Sequence, residues 1–432
     1  MAGRRPRAHL WQIGCQMNQA DRDRLAEQLQ EIGIDPESRQ QDADLVILLT
    51  CAVRQNAEQK VYGKFKELSS WKAERPGRAI ALTGCMAVEH GEQLLQRLPG
   101  LDYMFDVREP EGFLSKLQDA FCVELDGPMP LPASDRLTAY VPVIGGCNEM
   151  CTYCIVPFVR GRETSRPLQD VVQDVARLVE RGVREITLLG QNVNSYVDPA
   201  SGVGLAGLMR AVDRVPGLLR QRFLTSHPRN AVPELFSAMG ELVTACEQLH
   251  LPVQSGSNSC LARMKRLYSV EQYKEQIALA RSMVPGLAIS TDIIVGFPGE
   301  TDEEFEETVQ LMQEIKFDVV HMQAYSPRPG TAAARRSDDV PMEEKKRRLA
   351  RLLSISRDSA LAANLAQVGR VAEVLVERLP EEGSMGFGRT RQNRVVRFSG
   401  TAKVGTLASV QLQSATVSHL VGTVTVAPVG ES

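Results

Sequence analysis

The chain has 432 residues, of which 43% are hydrophobic and 24% charged, and its formal net charge is −3. This length allows two or three domains with large cores, and the composition is that of an ordinary globular protein. The charge excludes a uniformly basic nucleic-acid-binding protein but allows a local basic patch. No apolar run approaches the length of a membrane span.

The amino terminus, MAGRRPRAHLWQIG, is basic but lacks an apolar segment followed by a small-residue cleavage site. We therefore expect no secretion signal, no membrane contact and a cytoplasmic location. Thiols stay reduced in the cytoplasm, so the nine cysteines, an odd number, favour metal binding over disulfide bonds.

The first segment, residues 1–122, alternates predicted strands with predicted helices. The strands are His9–Gly14, Ala43–Thr50 and Arg78–Gly84, and the helices are Asn18–Ile32, Val53–Ala73 and Val88–Leu98. The second strand, ADLVILLT, is a continuous apolar run typical of a buried parallel strand. The alternation indicates a parallel sheet with crossover helices.

Cys15, Cys51 and Cys85 each follow one of these predicted strands by one residue. Because the carboxyl ends of parallel strands line one crevice, where ligands bind, these three cysteines can meet at one point in space. Three separately buried cysteines are the alternative, since free cysteine is often buried. The repeated placement favours a shared cluster.

The second segment, residues 137–366, follows a predicted linker at 123–136 that contains three prolines. Its predicted strands are Tyr140–Ile144, Glu185–Leu189, Arg222–Thr225, Gln248–Val253, Ala288–Val295 and Val319–Tyr325, with helices such as Leu168–Arg181 and Asp302–Ile315 between them. Six βα units predict an open, partial barrel. Active residues of such barrels come from the loops after the strands, and GGCNEMCTYC follows the first strand.

This loop carries Cys147, Cys151 and Cys154 in CxxxCxxC spacing. Three thiolates on a four-iron, four-sulfur cluster leave one iron without a protein ligand, and that iron can bind a small molecule. Zinc sites usually present four ligands in paired CxxC or Cys/His spacing, which neither cysteine triplet provides. A zinc- or cluster-binding protein without catalysis is the alternative from another functional class.

The third segment, residues 367–432, follows a long charged helix pattern at Met342–Gln367, for which a short coiled coil is an alternative. Short valine-rich runs with glycine turns predict a small antiparallel β-barrel, of a kind that often binds single-stranded nucleic acid. These runs are Val371–Val376, Arg394–Phe398, Thr406–Leu412 and Gly422–Val426. A basic patch favours RNA only weakly, because a solvated edge strand has the same pattern; it comprises Arg389, Arg391, Arg394 and Arg397.

Several motifs resemble one family across the chain. GCNEMCTYCIVPFVRGRETSRP resembles the signature of radical S-adenosylmethionine (radical SAM) methylthiotransferases. GCQMNQAD, TCAVRQNAEQKVYG and TGCMA resemble the family's amino-terminal domain, and FLTSHPRN, LPVQSGSN, TDIIVGFPGET and AYSPRPGT follow in the family's order. GRTRQNRVVRF is similar to the family's carboxyl-terminal RNA-binding TRAM domain.

Within the family, GCQMN is similar to the MiaB type, which acts on isopentenyl-adenosine in tRNA. The alternatives are the branches that act on threonylcarbamoyl-adenosine in tRNA or on an aspartate of a ribosomal protein. Two positions depart from the pattern. Family members usually carry Asp-Ser-Glu where this chain has Asp21, Arg22 and Asp23, and asparagine commonly stands in place of Leu49.

The resemblance implies an α/β protein with three domains. We expect a flavodoxin-like parallel α/β methylthiotransferase domain at 1–122, a radical SAM core with a partial (β/α)6 barrel at 137–366, and a TRAM β-barrel at 367–432. Expected partners are the anticodon loop of tRNA, whose target adenosine is already prenylated, and an electron donor such as flavodoxin or ferredoxin. The resemblance also implies that the chain is a monomer.

The resemblance also implies two 4Fe-4S clusters and S-adenosylmethionine. The first cluster, which cleaves S-adenosylmethionine to a 5′-deoxyadenosyl radical, is expected on Cys147, Cys151 and Cys154. The second, which carries the methylthio sulfur, is expected on Cys15, Cys51 and Cys85. The radical abstracts hydrogen from carbon 2 of the adenine, and the methylthio group then joins that carbon.

Supporting roles are expected for four further residues. Tyr153 packs on the adenine of the cofactor or has a plain packing role. Gln191 and Asn192 hold the methionine amino group. Gly296 lets the backbone approach the adenine, although a glycine after a strand is often only a turn.

For other polar residues, a ligand-binding role and a purely structural role both remain open. Arg160 and Arg166 contact carboxylate or phosphate, or are ordinary surface arginines. His227 hydrogen-bonds cofactor or substrate, or is a satisfied structural histidine. The cysteines outside the two triplets match no ligand pattern and are expected to be structural; they are Cys122, Cys246 and Cys260.

Overall fold

The computed structural model describes residues 5–36, 38–52, 55–121, 136–379 and 385–426. The chain divides into two units. The first contains residues 1–133, 146–148 and 155–162, and the second contains residues 134–145, 149–154 and 163–432. The predicted linker lies outside the described residues, apart from Arg136.

The first unit is a parallel sheet with helices on both faces, as predicted. The strand order β1-β2-β3-β4 lacks the exchange of the first two strands that defines the flavodoxin-like order. Its elements are β1 (Ala8–Gln12), α1 (Gln16–Glu31), β2 (Leu45–Thr50), α2 (Gln55–Ala73), β3 (Ala79–Gly84), α3 (Cys85–His90), α4 (Gln93–Arg97), β4 (Tyr103–Met104), α5 (Glu111–Phe121) and α6 (Val156–Arg160).

The central strand β2 is buried along its whole length because both of its faces are covered. Val46 and Leu48 pack in a core with residues of α2, α3 and α4, while Ile47 and Leu49 pack in a second core with residues of α1 and α5. This double coverage explains the continuous apolar run in the sequence.

The sequence reading was wrong in some local details. Strand β1 ends at Gln12 rather than at Gly14, whose φ of +132° leaves the extended region. The helix predicted over Val88–Leu98 is two short helices, which Gly91 separates at a φ of +50°. Strand β4 and helix α5 were not predicted.

The second unit begins with six parallel strands in two neighbouring sheets, β5-β8-β9 and β10-β11-β12. This arrangement confirms the partial (β/α)6 barrel. Its elements are β5 (Thr138–Pro142), β6 (Ile144–Gly145), β7 (Thr164–Ser165), α7 (Leu168–Glu180), β8 (Glu185–Leu189), α8 (Leu205–Val212), β9 (Arg220–Leu224), α9 (Pro233–Glu241), β10 (Gln248–His250), α10 (Asn258–Arg263), α11 (Val270–Met283), β11 (Ala288–Val295), α12 (Asp302–Ile315), β12 (Val319–Ala324) and α13 (Met342–Leu365).

The barrel strands have two distinct faces. Leu249, Ile289 and Ile293 pack with the surrounding helices in the largest hydrophobic core. Because side chains alternate along a strand, His250 and Asp292 point to the opposite face, which we call the lumen. Strand β10 ends at His250, earlier than predicted.

The rest of the second unit is a closed five-stranded barrel in the order β13-β14-β15-β17-β16. All pairings are antiparallel except that of β15 with β17. Strand β14 was not predicted because of its glycines, yet a Cβ at Gly388 would lie 2.2 Å from the Leu375 carbonyl oxygen. The strands are β13 (Val371–Arg378), β14 (Gly386–Thr390), β15 (Val395–Ser399), β16 (Leu407–Ala415) and β17 (Leu420–Val426).

Candidate active site

The first cysteine triplet lies at the carboxyl edge of the four-stranded sheet. Cys15 is the N-cap of α1, three residues beyond β1. Cys51 directly follows β2, and Cys85 directly follows β3 as the first residue of α3. Since these strands are parallel neighbours, their carboxyl ends bring all three cysteine segments to one edge. Cys15 is exposed, whereas Cys51 and Cys85 are buried.

Two glycines allow these segments to approach each other closely. A Cβ at Gly14 would lie 2.8 Å from the Cβ of Cys51. A Cβ at Gly84 would lie 2.4 Å from the carbonyl oxygen of Thr50, and this glycine has a φ of +93°. The segments before Cys15 and Cys85 therefore both lie against the end of β2.

Arg160, on α6, joins the triplet to the helix that follows Cys15. Its Nε donates to the Cys85 Sγ at 3.3 Å, and its guanidinium donates to the Asn18 Oδ1 at 3.0 Å. It also lies 2.9 Å from the Asp21 carboxylate, an ion pair without hydrogen-bond alignment. Burial lowers the pKa of Arg160, but Asp21, Cys85 and Cys15 raise it, and the net pKa is above its ordinary value.

The two departures from the family pattern have distinct positions. Leu49 is buried among the apolar side chains of the sheet and packs in the core on the α1 side. Arg22 forms an ion pair with Asp23 at 3.0 Å. Asp21, which the usual pattern also contains, is the residue that pairs with Arg160.

In the second unit, Arg266 contacts a cysteine of the other triplet. Its guanidinium donates to the Cys151 Sγ at 3.4 Å, to the Pro252 carbonyl at 2.9 Å and to the Tyr268 hydroxyl at 2.9 Å. Burial lowers the pKa of Arg266, while Tyr153, Tyr268 and Cys151 raise it above its ordinary value. The sequence reading missed Arg266, because nothing in its local pattern separates it from a surface arginine.

Tyr153 packs against a small apolar cluster at the loop ends. The cluster comprises Cys260, Met264, Phe297, Tyr325 and Ala333. Burial raises the pKa of Tyr153 well above its usual range. The preceding Thr152 is anchored by its amide to the Met264 carbonyl at 3.0 Å. The packing role of Tyr153 is thus present, and its contact with adenine remains a prediction.

Four buried polar atoms lie in the loops after β8 and β9 without a hydrogen-bond partner in the described chain. They are Gln191 Oε1, Asn192 Oδ1, Ser226 Oγ and His227 Nε2. Leaving such atoms unpaired costs about 1–3 kcal/mol each, so their presence at adjacent strand ends points to a polar ligand. The loops therefore fit a cofactor with amino, carboxylate and hydroxyl groups.

His227 is held as a neutral imidazole. Burial, and then the cations of Arg266 and Arg229, lower its pKa to about 3. The backbone N–H of Arg229 donates to Nδ1 at 3.2 Å, so the proton of the neutral ring is on Nε2. Its ring packs edge-on against that of Tyr268 at 5.8 Å, and the Tyr268 hydroxyl accepts a hydrogen bond from Arg266.

Gly296 and Arg166 have structural contacts of their own. Gly296 has a φ of +67°, and a Cβ there would lie 2.4 Å from the Lys345 Cγ, so the close packing of α13 requires a glycine. The approach of Gly296 to adenine stays a prediction. Arg166 pairs with Asp174 at 2.5 Å and donates to the Pro142 carbonyl at 3.0 Å.

The cysteines outside the triplets are inert where the structure describes them. Burial raises the pKa of Cys246 to about 11 and that of Cys260 to about 12, so both stay protonated thiols. Cys122 lies outside the described residues.

Three of the four arginines of the basic patch form ion pairs within the second unit. Arg391 pairs with Glu247 at 2.9 Å, and Arg394 pairs with Asp318. Arg389 pairs with Glu377, at 3.2 Å. Arg391 and Arg394 therefore connect the small barrel to the starts of β10 and β12, whereas the Arg389 pair lies within the small barrel. Of the four arginines only Arg397 is exposed.

Three family models match the chain in order. "Uncharacterized protein family UPF0004" covers residues 7–106, "Radical SAM superfamily" covers 141–312 and "TRAM domain" covers 365–425. The radical SAM model implies a 4Fe-4S cluster and S-adenosylmethionine. No helix in the described ranges is long and apolar enough to cross a membrane.

A protein of Moorella thermoacetica called tRNA-2-methylthio-N(6)-dimethylallyladenosine synthase is 41% identical over 93% of this chain and 94% of its own. The chain belongs to the family of MiaB-type radical SAM methylthiotransferases. A protein with the same name from Geobacter sulfurreducens is 40% identical over 95% of both chains, and one from Clostridium botulinum is 38% identical over 95% of both.

Solved structures share the fold at low sequence identity. The radical S-adenosylmethionine methyltransferase TsrM from Kitasatospora setae has a TM-score of 0.58 at 15% identity, over 76% of this chain and 75% of its own. The cobalamin-dependent S-adenosylmethionine radical enzyme OxsB has a TM-score of 0.53 at 11% identity, over 82% and 56%. At these identities the likeness shows the fold alone.

Proposed function

We propose that this chain adds a methylthio group to carbon 2 of N6-isopentenyladenosine beside the anticodon of tRNA. It is a radical SAM tRNA methylthiotransferase. The observation that carries this conclusion is the similarity over nearly the whole chain to synthases with this name. The two cysteine triplets, each incomplete for a four-iron cluster, support it.

We propose that each triplet binds one 4Fe-4S cluster. The ligands of the first are Cys147, Cys151 and Cys154, and those of the second are Cys15, Cys51 and Cys85. When bound, the clusters and S-adenosylmethionine supply a 5′-deoxyadenosyl radical for hydrogen abstraction and a methylthio group for insertion. The segments that carry Cys15, Cys51 and Cys85 meet at one sheet edge, which supports the second assignment.

Two buried arginines support the ligand cysteines. Arg160 donates an N–H to Cys85, and Arg266 donates one to Cys151. Each contact places a guanidinium cation beside a sulfur that we propose as an iron ligand. The hydrogen bonds also fix the direction of each sulfur, as outer-shell partners do at other metal sites.

The unpaired polar atoms form the wall that orients S-adenosylmethionine. Gln191 and Asn192 offer carbonyl oxygens to the methionine amino group. His227 offers its Nε2–H to an acceptor and stays neutral at physiological pH. We propose that Tyr153 packs on the adenine and that the backbone at Gly296 approaches it.

The remaining expectations are proposals from family membership. The tRNA anticodon loop is the substrate, and the TRAM domain binds RNA. An electron donor such as flavodoxin or ferredoxin reduces the clusters. The chain works in the cytoplasm as a monomer, with domains at 1–122, 137–366 and 367–432.

Anaerobic reconstitution with prenylated tRNA tests this function, with nucleosides analysed by mass spectrometry. Wild type is expected to form the methylthio product. Cys147→Ala is expected to abolish cleavage of S-adenosylmethionine, whereas Cys15→Ala should keep cleavage and lose sulfur insertion. Cys246→Ala is the matched control and should keep both.

The outcomes separate the parts of the proposal. Normal sulfur transfer by Cys15→Ala would refute the role of Cys15, Cys51 and Cys85. A wild type that leaves prenylated tRNA unchanged but modifies threonylcarbamoyl-adenosine tRNA or a ribosomal protein would place the chain in another branch.

A further inference from the structure

Two histidines and an aspartate meet on the lumen face of the partial barrel. His250 is the last residue of β10, Asp292 lies within β11, and His321 lies within β12. These strands are parallel neighbours, with Asp292 directly opposite His321 and His250 directly opposite Ser290. Three rigid strands therefore hold three metal-ligand side chains together.

The distance between the ligand atoms of His250 and Asp292 suits a shared ion better than a direct hydrogen bond. One ligand atom from each residue lies within 4.8 Å of the other two. His250 Nε2 and Asp292 Oδ1 are 3.6 Å apart, which is too long for a hydrogen bond. Two ligands at about 2.0–2.1 Å from a tetrahedral ion lie about 3.3 Å from each other.

A hydrogen bond with Ser290 orients the ring of His250. The Nδ1 atom of His250 is hydrogen-bonded to the Ser290 hydroxyl at 2.9 Å, which leaves Nε2 directed towards Asp292. Metal-binding histidines almost always have such a partner on the second ring nitrogen, because it fixes the tautomer and the ring. His250 is buried, so its ring is also held by packing.

We propose that His250, Asp292 and His321 bind one divalent first-row transition-metal ion, such as Zn²⁺. Imidazole and carboxylate are ligands for this class of ion. Three protein ligands leave a coordination position open to the lumen, where water or a phosphate or ring-nitrogen group of a ligand can bind. The proposal uses none of the cysteines and does not depend on the methylthiotransferase activity.

The test uses full-length protein with both iron–sulfur clusters reconstituted, so that the cysteines are occupied. The protein is dialysed against Zn²⁺, and zinc and iron are measured together by mass spectrometry. We expect about one zinc per chain, with zinc–nitrogen and zinc–oxygen distances of about 2.0–2.2 Å by X-ray absorption. Zinc captured by cysteines would instead show sulfur at about 2.3 Å.

Variants assign the site. Asp292→Asn and His321→Gln are each expected to lower the zinc affinity at least about tenfold, as loss of a metal ligand or its partner does. Because His321 is exposed, we expect its replacement to preserve the fold. His419→Gln, on the small barrel, is the matched control. Unchanged zinc binding in both variants, no bound zinc in wild type, or sulfur scattering alone would each overturn the proposal.

Discussion

Replacement of Arg160 by methionine tests the buried charge network beside Cys85. The side chains of Arg160 and Asp21 are 9% and 11% exposed and lie 2.9 Å apart. Arg160→Met therefore leaves the Asp21 carboxylate buried without its cation. Breaking a buried pair in this way costs about 3–5 kcal/mol, and the residual exposure of both side chains places our expectation at about 3 kcal/mol of unfolding free energy.

Tryptophan fluorescence is a specific assay for this loss. The two tryptophans of the chain, Trp11 and Trp71, both belong to the first unit. Urea unfolding of the cluster-free protein followed by their fluorescence therefore reports on the unit that contains Arg160. Because residues that share a buried contact are coupled, Asp21→Asn and the double variant complete a double-mutant cycle.

The cycle distinguishes charge pairing from simple packing. The double variant Asp21→Asn/Arg160→Met lacks both charges. Its loss of unfolding free energy should therefore be smaller than the sum of the two single-variant losses by about 2 kcal/mol. Arg75→Met is the matched surface control, since Arg75 is 40% exposed and pairs with Asp44; it should cost at most about 1 kcal/mol. A loss below about 1 kcal/mol for Arg160→Met, or additive single losses, would refute the reasoning.

Three other predictions concern pH, backbone strain and RNA binding. The pKa of His227 is lowered to about 3 in the folded chain, so only the unfolded chain takes up this proton as pH falls through about 6.5. Between about pH 7.5 and about pH 5, the unfolding free energy of wild type should therefore fall by about 2 kcal/mol more than that of His227→Gln, as measured by urea unfolding. A pH-independent difference between the two proteins would contradict this. Gly84→Ala should cost about 2 kcal/mol more than Gly77→Ala, since both glycines have positive φ but only the Cβ at Gly84 would meet the backbone; equal losses in the fluorescence assay would argue against the close approach. Arg391→Met should leave the salt dependence of tRNA affinity unchanged, because the Arg391 guanidinium is paired within the chain. Arg397→Met should instead lower the slope of log affinity against log salt concentration by about 1. A lower slope for Arg391→Met would show that Arg391 contacts phosphate.

Some features were predictable because they depend on local pattern. The apolar run at Leu45–Thr50 matches a strand buried on both faces, and alternation of strands with helices predicts parallel sheets in both α/β regions. Helix Asp302–Ile315 was predicted with its exact bounds, since Thr301 and Glu304 form a capping box at its start. The same parallel topology explains why the segments that carry Cys15, Cys51 and Cys85 end at one edge of the sheet.

Other features could not be predicted, because they depend on which side chains meet across distant segments. Arg266 contacts Cys151 although 115 residues separate them, and Arg160 contacts Cys85 across 75 residues. The basic patch allowed either a weak preference for RNA or a solvated edge strand, yet Arg391 and Arg394 pair with acidic residues at the strand starts. Charge composition alone cannot show which charges neutralise each other.

By itself, the sequence determined the strand–helix alternation of the two α/β regions, the six candidate cluster ligands and the family, because these depend on residue identity and spacing along the chain. Only the tertiary structure decided which arginine lies beside which cysteine and which polar atoms are left unpaired. It also decided that His250, Asp292 and His321 share one face of three strands. The physical reason is that strand register and loop packing, which arise from the whole core, set these distances.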